Sequence, residues 1–316
     1  MRRFVWRRLS ALPLILIGVS VLTFLLVRLV PVEPAEVILR QSNLNATEEA
    51  IAEVRSQLGL DQPLYIQYWM WISNIVKLDF GVSYVSKLPI SSEIAEKFPA
   101  TIQLALSAML LTVMISLPLG LLSSLFPNRW IDRATAIFIY VGTAIPRFWL
   151  GFILIYFFSL KLDWLPFQGK GGLMHLLLPS ITLALAQTAV FTRLLRSQLL
   201  DQMREIYVLY AKVRGLKEGF ILIHHVLRNA FSPLLAVMGI SLGNMLGGTV
   251  IVEQMFSWPG MGRYLIESIS NRDYPVIQCY VLLMAVVYVF INLLVDLLQR
   301  WIDPRLEQSE ESGIDR

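Results

Sequence analysis

The apolar residues of this chain form long blocks that carry almost no charge, and this pattern limits the fold more than any other feature. Each block has about 20 residues, which lets a helix cross a hydrocarbon core roughly 30 Å thick. Hydrophobic residues make up 56% of the 316 positions and charged residues only 16%, whereas a soluble domain has roughly 25% charged residues. The sequence therefore predicts an all-α membrane protein that crosses the bilayer several times.

Six blocks are long enough to span, so six transmembrane helices are predicted. The first block follows "MRRFVWRR". It is too long for the apolar part of a signal peptide, and no small-residue cleavage pattern follows it, so we interpret it as an uncleaved first span. The predicted spans are residues 9–30, 101–125, 134–160, 176–195, 230–252 and 277–298.

The charges of the connecting segments predict the orientation. Basic residues precede the first span and cluster between spans two and three and between spans four and five, whereas loop 31–99 is net acidic. Cytoplasmic loops carry an excess of lysine and arginine. Both termini are therefore predicted to face the cytoplasm, and loop 31–99 to lie outside.

This topology divides the chain into four parts: residues 1–30 with the first span, an outer loop at 31–99, a five-span core at 100–302 and a cytoplasmic tail at 303–316. Within the core we expect an inner helical segment at about 200–229 and an outer re-entrant turn at about 253–275.

The outer loop is predicted to be helical. Thr47 followed by glutamates suggests a capping box, and Gly59 suggests a helix stop. A second helix, "QYWMWISNIVKLDFG", has an aromatic face. Trp69 and Trp71 are expected at headgroup depth, as in a helix lying along the membrane interface. The alternative is a docking or gating surface on the outer side.

Motifs for catalysis or metal binding are absent from the sequence. It has no G-x-x-x-x-G-K-[ST] loop, no H-E-x-x-H and no C-x-x-C. His224 and His225 are adjacent and would point about 100° apart on a helix, and His175 stands alone. We therefore predict no enzyme activity, no metal site and no nucleic-acid partner. Cys279 is the only cysteine, so no internal disulfide can form.

The stretch "EIYVLYAKVRGLKEGF" at 205–220 is a charged helical segment between two apolar blocks. Helical spacing separates a large apolar stripe, predicted to pack against the protein's own spans, from a small-residue side that a partner could approach closely. The stripe contains Ile206, Leu209, Tyr210, Val213 and Leu216. The small-residue side contains Val208, Ala211 and Gly215, flanked by Lys212 and Arg214.

Gly215 is predicted to end this helix, and a second amphipathic helix, "KEGFILIHHVLRN", is expected to follow it. The resulting helix–turn–helix bracket would stand on the cytoplasmic face. The alternative is a surface helix that only anchors two spans.

"YAKVRGL" followed by "HHVLRNAFSPLL" resembles the cytoplasmic motif of ABC importer membrane subunits, E-A-A, three residues, G, nine residues, I-x-L-P. Ala211 and Gly215 keep its spacing, whereas Leu209 and Tyr210 replace Glu and Ala, and Arg228 replaces Pro. These departures are similar to the peptide/nickel permease branch. "LGLDQPLYIQY", "PATIQLAL", "GGLMHLLLPSITLALA" and "VEQMFSWPGMGRYL" resemble it in the same order, so the similarity covers nearly the whole chain.

The resemblance implies a type I ABC importer permease fold in a bacterial inner membrane. Implied partners are a homologous permease, two ATPase subunits that bind ATP and magnesium, an extracytoplasmic binding protein and membrane lipid; this chain itself would hold no cofactor. Residues 205–229 would be the coupling helices. The expected ATPase-coupling residues are Glu205, Tyr210, Ala211, Lys212, Arg214, Gly215 and Leu216.

The nickel subunit is the branch member that this chain resembles most, which implies nickel or a nickel chelate as cargo, with di- or oligopeptides as the alternative. Arg147, near the middle of predicted span three, would repel a bare metal ion and suit an anionic chelate or a peptide carboxylate. The alternative is an interfacial arginine that snorkels. The candidate path residues are Arg147, Asn244 and Gln187.

The outer turn "FSWPGMGRYL" is expected near the binding protein, with Asp273 capping the last span. The candidate residues at this outer gate are Glu253, Pro259, Gly260, Gly262 and Asp273. Two readings from other classes remain open at this point. An ion-gradient secondary transporter should show intramembrane carboxylates and broken-helix repeats, and a membrane scaffold would use the same surfaces for interaction only.

Overall fold

The computed structural model describes residues 2–29, 34–41 and 47–302, so the predicted cytoplasmic tail at 303–316 lies outside the described residues. Within these ranges the chain is helical, and its extended pairing is limited to an isolated antiparallel bridge between Val82 and Pro89. The all-α prediction is confirmed for this part of the chain.

Four helices precede the second predicted span: α1 Arg2–Arg28, α2 Pro34–Gln41, α3 Glu48–Gln57 and α4 Leu64–Val76. The remaining elements are α5 Ile90–Leu125, α6 Trp130–Ala144, α7 Arg147–Leu154, a π-helical segment Ile155–Lys161, α8 Leu173–Gln202, α9 Ile206–Val213, α10 Glu218–Ile221, a π-helical segment Leu222–Val226, α11 Leu227–Met255, α12 Met261–Ser270 and α13 Tyr274–Ile302.

Four described helices are long and apolar enough to cross a membrane: Ile90–Leu125, Leu173–Gln202, Pro233–Met255 and Tyr274–Leu298. The bent pair α6 and α7 makes a fifth candidate if it is one span. In α1 the described apolar part, Leu12–Arg28, is shorter than these helices. The number of spans is therefore four or five among the described residues, and a sixth span remains a prediction, as does the orientation.

Predicted span three is not one continuous helix. Trp130–Ala144 and Arg147–Lys161 meet at an angle of 105°. Ile145 is extended, with φ −75° and ψ 122°, because the ring of Pro146 disfavours helical geometry in the residue before it. Pro146 also has no N–H to continue the helical hydrogen bonds. Arg147 is consequently the first residue of α7, at the break between the two helices and not inside a continuous helix.

Helix α3 begins at the predicted place with a simpler cap. Thr47 accepts a hydrogen bond on its hydroxyl from the Ala50 backbone N–H at 3.3 Å. Position N3 is occupied by Ala50, so no glutamate returns a hydrogen bond, and the capping-box prediction was wrong in that respect. Gly59 has φ +64° after the helix, as a glycine stop requires.

The chain forms two compact units, each with its own core. The first contains the residues up to Thr101 and Pro259–Val289, and the second contains Ile102–Trp258 and the described residues from Phe290 onward. In the first unit the buried core is Ile90, Met261, Tyr264, Val276, Cys279 and Tyr280. In the second unit it is Phe191, Leu195, Leu199, Val208, Ala211, Ile221, Leu222, Val226, Ala230 and Leu234.

Candidate functional site

The predicted coupling segment is a short helix set against the core of the second unit. Helix α8 ends at Gln202, and Glu205, extended at φ −70° and ψ 149°, precedes the first turn of α9. The Tyr207 hydroxyl donates to Gln202 Oε1 at 2.8 Å, which ties α9 to the end of α8. A carboxylate at Glu205 suits the positive end of the helix dipole.

The two faces of α9 are reversed relative to the prediction. Val208 and Ala211 are buried in the core of the second unit, at 4% and 8% exposure. Of the five large apolar residues that were expected to pack against the spans, four are instead exposed at 64–78%, and Leu216 is 39% exposed. We call the first four the α9 face: Ile206, Leu209, Tyr210 and Val213.

The small residues explain this reversal. A backbone that carries valine and alanine can approach other helices more closely than one that carries leucine and tyrosine, so the α9 side with Val208 and Ala211 packs inward. Four large apolar side chains are left on the side of α9 that faces away from the core. Single exposed apolar residues are ordinary on a protein surface, whereas a contiguous group of them indicates an interaction site.

Gly215 ends α9 as predicted. Its φ is +77°, a left-handed conformation that glycine adopts without steric cost. Its N–H bonds to the Lys212 carbonyl at 2.9 Å, and the Leu216 N–H bonds to the Ala211 carbonyl at 3.2 Å. This pair of bonds is the Schellman motif. A Cβ built on Gly215 would meet no atom within 4 Å, so there is space beside the turn for a side chain.

The predicted second helix of the bracket is not a separate element. Helix α10, the π-helical segment Leu222–Val226 and α11 follow one another without a break. The Phe220 ring stacks on His224 with centroids 4.1 Å apart. Across 2–29, 34–41 and 47–302 no three His, Cys, Asp or Glu side chains converge where they could hold a metal ion.

An ion pair in the second unit joins α6 to α8, and no sequence pattern predicts it. Arg196 Nε donates to Asp132 Oδ1 at 2.6 Å, and its Nη2 donates to Oδ2 at 2.9 Å. Asp132 also accepts from the Asn128 backbone N–H at 2.9 Å. The partners are 64 residues apart, so helical spacing carries no signal for them. Asp132 is buried, whereas the Arg196 side chain is 32% exposed.

Of the candidate path residues, Arg147 and Asn244 are brought toward one face of α11. A Cβ built on Gly248 would lie 2.2 Å from Arg147 Nη1, so the guanidinium occupies the space that this glycine leaves. Asn244 is exposed and one turn before Gly248 on α11. Gln187 is half-buried on α8, and its place in a path stays a prediction.

The candidate outer-gate residues fall in both compact units. Glu253 is buried in the second unit, and its carbonyl accepts from the Trp258 N–H at 2.8 Å. Pro259, Gly260 and Gly262 belong to the first unit, where Gly260 precedes α12. Helix α12 begins at Met261.

Asp273 binds a loop through its side chain and does not cap α13 with it, contrary to the prediction. Its carboxylate accepts from Ser83 Oγ at 2.5 Å and from the backbone N–H groups of Tyr84 and Val85 at 3.1 and 3.3 Å. Burial raises the pKa of Tyr84 to about 12, so this phenol stays neutral at physiological pH. The contact anchors the loop before α5 to the turn before α13.

A second carboxylate of the first unit, that of Glu93, is also held by hydrogen bonds. Glu93 is buried and accepts hydrogen bonds from the Tyr264 hydroxyl and from Ser86 Oγ, the latter at 3.1 Å. The Lys97 ammonium lies 3.6 Å from it. Burial, followed by the hydrogen bond to Glu93, holds the pKa of Tyr264 above its usual range. These contacts tie α5 to α12, and the sequence patterns did not reveal them.

Comparison with known proteins gives matches along nearly the whole chain. Residues 116–308 match the family described as "Binding-protein-dependent transport system inner membrane component", and residues 1–105 match "Binding-prot-dependent transport system membrane comp, N-term". The "Glutathione transport system permease protein GsiC" of Escherichia coli is 42% identical over 306 residues, which cover 97% of this chain and 99% of that protein. The protein of the same name from Salmonella typhi is 41% identical over the same shares.

Solved structures are similar in fold. A chain of "Inward facing conformations of the MetNI methionine ABC transporter" superimposes with a TM-score of 0.56 at 17% identity, covering 66% of this chain and 95% of that one. "Crystal structure of an amino acid ABC transporter with histidines" gives 0.55 at 17% identity, covering 66% and 94%. At this identity the likeness concerns the fold alone.

Proposed function

Because the chain belongs to the binding-protein-dependent transport system inner membrane component family, and is thus a multi-pass inner-membrane permease subunit of an ABC importer, we propose that its cargo is a short anionic peptide. The relatives reported above, at 41–42% identity over 97% of the chain, are named for glutathione, which is a small peptide carrying carboxylates. This observation carries the proposal. It favours the peptide alternative of the sequence analysis over nickel.

The position of Arg147 supports an anionic cargo. The residue begins α7 at the break of a predicted span, and its guanidinium packs over Gly248 of α11. A charge within a membrane segment is costly and usually faces a cavity or a partner. The planar guanidinium of arginine can donate two parallel hydrogen bonds to the two oxygens of a carboxylate. A peptide carboxylate passing this break would find a ready partner, whereas a bare divalent cation would be repelled.

The α9 face is proposed as the surface that receives an ATPase subunit. Its four large apolar side chains could insert into a hydrophobic groove of the ATPase, as the apolar face of an amphipathic helix does in other complexes. Lys212 and Arg214, exposed beside it, can contact acidic groups at the groove's edge. ATP-driven closure of two such partners would then move α9, and α8 and α11 with it, because Val208 and Ala211 are embedded in their common core.

Uptake by the complete transporter in proteoliposomes tests the cargo. The chain would be co-purified with its partner permease, ATPases and binding protein and reconstituted into vesicles. Labelled glutathione, a labelled dipeptide or labelled nickel ion would then be supplied as the substrate. We expect ATP-dependent accumulation of the peptides. Accumulation of nickel alone would contradict the proposal, and uptake without ATP by this chain by itself would instead favour a secondary transporter.

Arg147→Ala is expected to reduce peptide uptake about tenfold, since a charge-assisted hydrogen bond contributes roughly 1.5–3 kcal/mol. Initial uptake rates at equal transporter density measure the effect. Arg147→Lys should keep part of the rate, because the charge remains while the fork is lost. Arg129→Ala, which removes an exposed arginine before α6, is the matched control. Equal peptide uptake by Arg147→Ala and the parent protein would remove Arg147 from the path.

A further inference from the structure

We propose that one side of α4 lies against the acyl chains of the outer leaflet, so that this helix of the outer loop is a membrane-interface element. Tyr65, Trp69 and Val76 are spaced at 0, 4 and 11 residues, which places them along one side of the helix. They are 74%, 71% and 78% exposed. We call this side the α4 lipid face.

A neighbouring side of α4 packs on α1, since Tyr68 and Trp71 lie about 60° and 120° around the helix from Tyr65. The Tyr68 hydroxyl lies 2.8 Å from Ser20 Oγ, which itself donates to the Ile17 carbonyl. The ring of Phe24 lies 5.5 Å from Tyr68 and 6.0 Å from Trp71. The α4 lipid face therefore lies beside the contact with α1 and is not covered by it.

The contact residues on α1 set the depth of α4. Ser20 precedes Arg28, the last residue of α1, by about 12 Å of helix at 1.5 Å per residue. Arg28 lies over the Phe24 ring at 5.3 Å, and a charged residue at the end of an apolar helix marks the polar boundary. A helix that touches α1 at Ser20 and Phe24 consequently lies within the outer part of the bilayer and not above it.

The residue types of the α4 lipid face fit this depth. Tryptophan and tyrosine are enriched where hydrocarbon meets headgroups, because their rings are apolar and each carries one polar group. The helix has a polar side as well, with exposed Asn74 about 180° from Tyr65 around the helix axis. Lipid is therefore the occupant that combines the depth, the aromatic residues and the exposure.

Spin labels on single cysteines test the proposal in the complete transporter in lipid nanodiscs. Cys279, the only cysteine and a buried one, is first replaced with serine. Labels are then attached to Tyr65→Cys, Trp69→Cys, Asn74→Cys and, as a reference within α1, Leu22→Cys, which is 59% exposed. Oxygen dissolved in the bilayer and a water-soluble nickel chelate compete to relax each label.

We expect the ratio of oxygen to chelate accessibility at Tyr65→Cys and Trp69→Cys to match Leu22→Cys and to exceed Asn74→Cys by at least about tenfold, as for a residue below the headgroups. Preference for the chelate at Trp69→Cys would place this side in water and overturn the proposal. A label that neither agent reaches would show that protein covers the surface, which also overturns it. Preference for the chelate at Leu22→Cys would refute the premise that α1 spans the membrane.

Discussion

Replacing Leu209 and Val213 together with aspartate is expected to lower ATP-driven uptake by more than about tenfold while leaving expression, insertion and pairing with the homologous permease unchanged. Both side chains are exposed on the α9 face, at 64% and 78%, so a charge there disturbs no packing within the chain. In a groove of a partner the same charges would be buried without compensation, which is strongly unfavourable.

Two measurements separate docking from other causes of lost transport. Co-purification of the ATPase subunits should fall for the double variant, and ATP hydrolysis should no longer respond to the cargo-loaded binding protein. Leu78→Asp, which adds one such charge at a 74% exposed leucine in the outer loop, is the control for an exposed leucine-to-aspartate change and should transport normally. Normal recovery of the ATPases with the double variant would refute the proposed role of the α9 face.

Ala211→Asp distinguishes the two assignments of the α9 faces. In the structure Ala211 belongs to the core of the second unit, so a carboxylate there should destabilise the chain and reduce the amount recovered from the membrane. If Ala211 faced the partner, the variant would fold normally and lose only the ATPases. Recovery of a stable chain at parental amounts would therefore support the sequence-based prediction that Ala211 faces a partner.

Gly215→Trp is expected to fold and insert, since a Cβ at that position meets no atom within 4 Å and the cost is limited to a left-handed residue of roughly 1–2 kcal/mol. Its bulk would stand beside the α9 face and obstruct a partner. Uptake should fall while the chain remains stable, and uptake at the parental rate would show that no partner approaches this turn.

Breaking the ion pair between Asp132 and Arg196 is expected to lower the stability of the chain. Asp132→Ala leaves the arginine without the carboxylate that accepts two of its N–H groups. Asp132 is buried but the Arg196 side chain is 32% exposed, so water screens the pair and the loss should fall below the roughly 3–5 kcal/mol of a fully buried pair. The Asn128 turn loses its acceptor as well. Thermal unfolding of the purified complex in detergent should show a clearly lowered midpoint.

The exchanged pair Asp132→Arg with Arg196→Asp supplies the matched test. It restores opposite charges across α6 and α8, so part of the stability lost in each single variant should return, a coupling that a double-mutant cycle measures. If the losses of stability caused by Asp132→Ala and Arg196→Ala simply add in the double variant, the two residues do not stabilise each other.

The helical class and several helix ends could be predicted because their causes are local. Apolar blocks long enough to span, Thr47 before α3, and Gly59 and Gly215 after their helices depend on neighbouring residues alone. The bend at Pro146 begins with a local restriction but could not be predicted, because prolines are tolerated within membrane helices when neighbours satisfy the freed carbonyl. Whether a given proline bends a helix is decided by the helices that pack on it.

The sequence by itself determined that this chain is a helical membrane protein, that it resembles ABC importer permeases, and that α9 has a large-residue side and a small-residue side ending at Gly215. Only the tertiary structure decided which of those sides faces outward, because both are apolar and periodicity cannot distinguish a core from a docking surface. It alone also paired Asp132 with Arg196 and Asp273 with the loop at Ser83. Such contacts join residues that are distant in the chain, and they form only once the packed helices bring their side chains together.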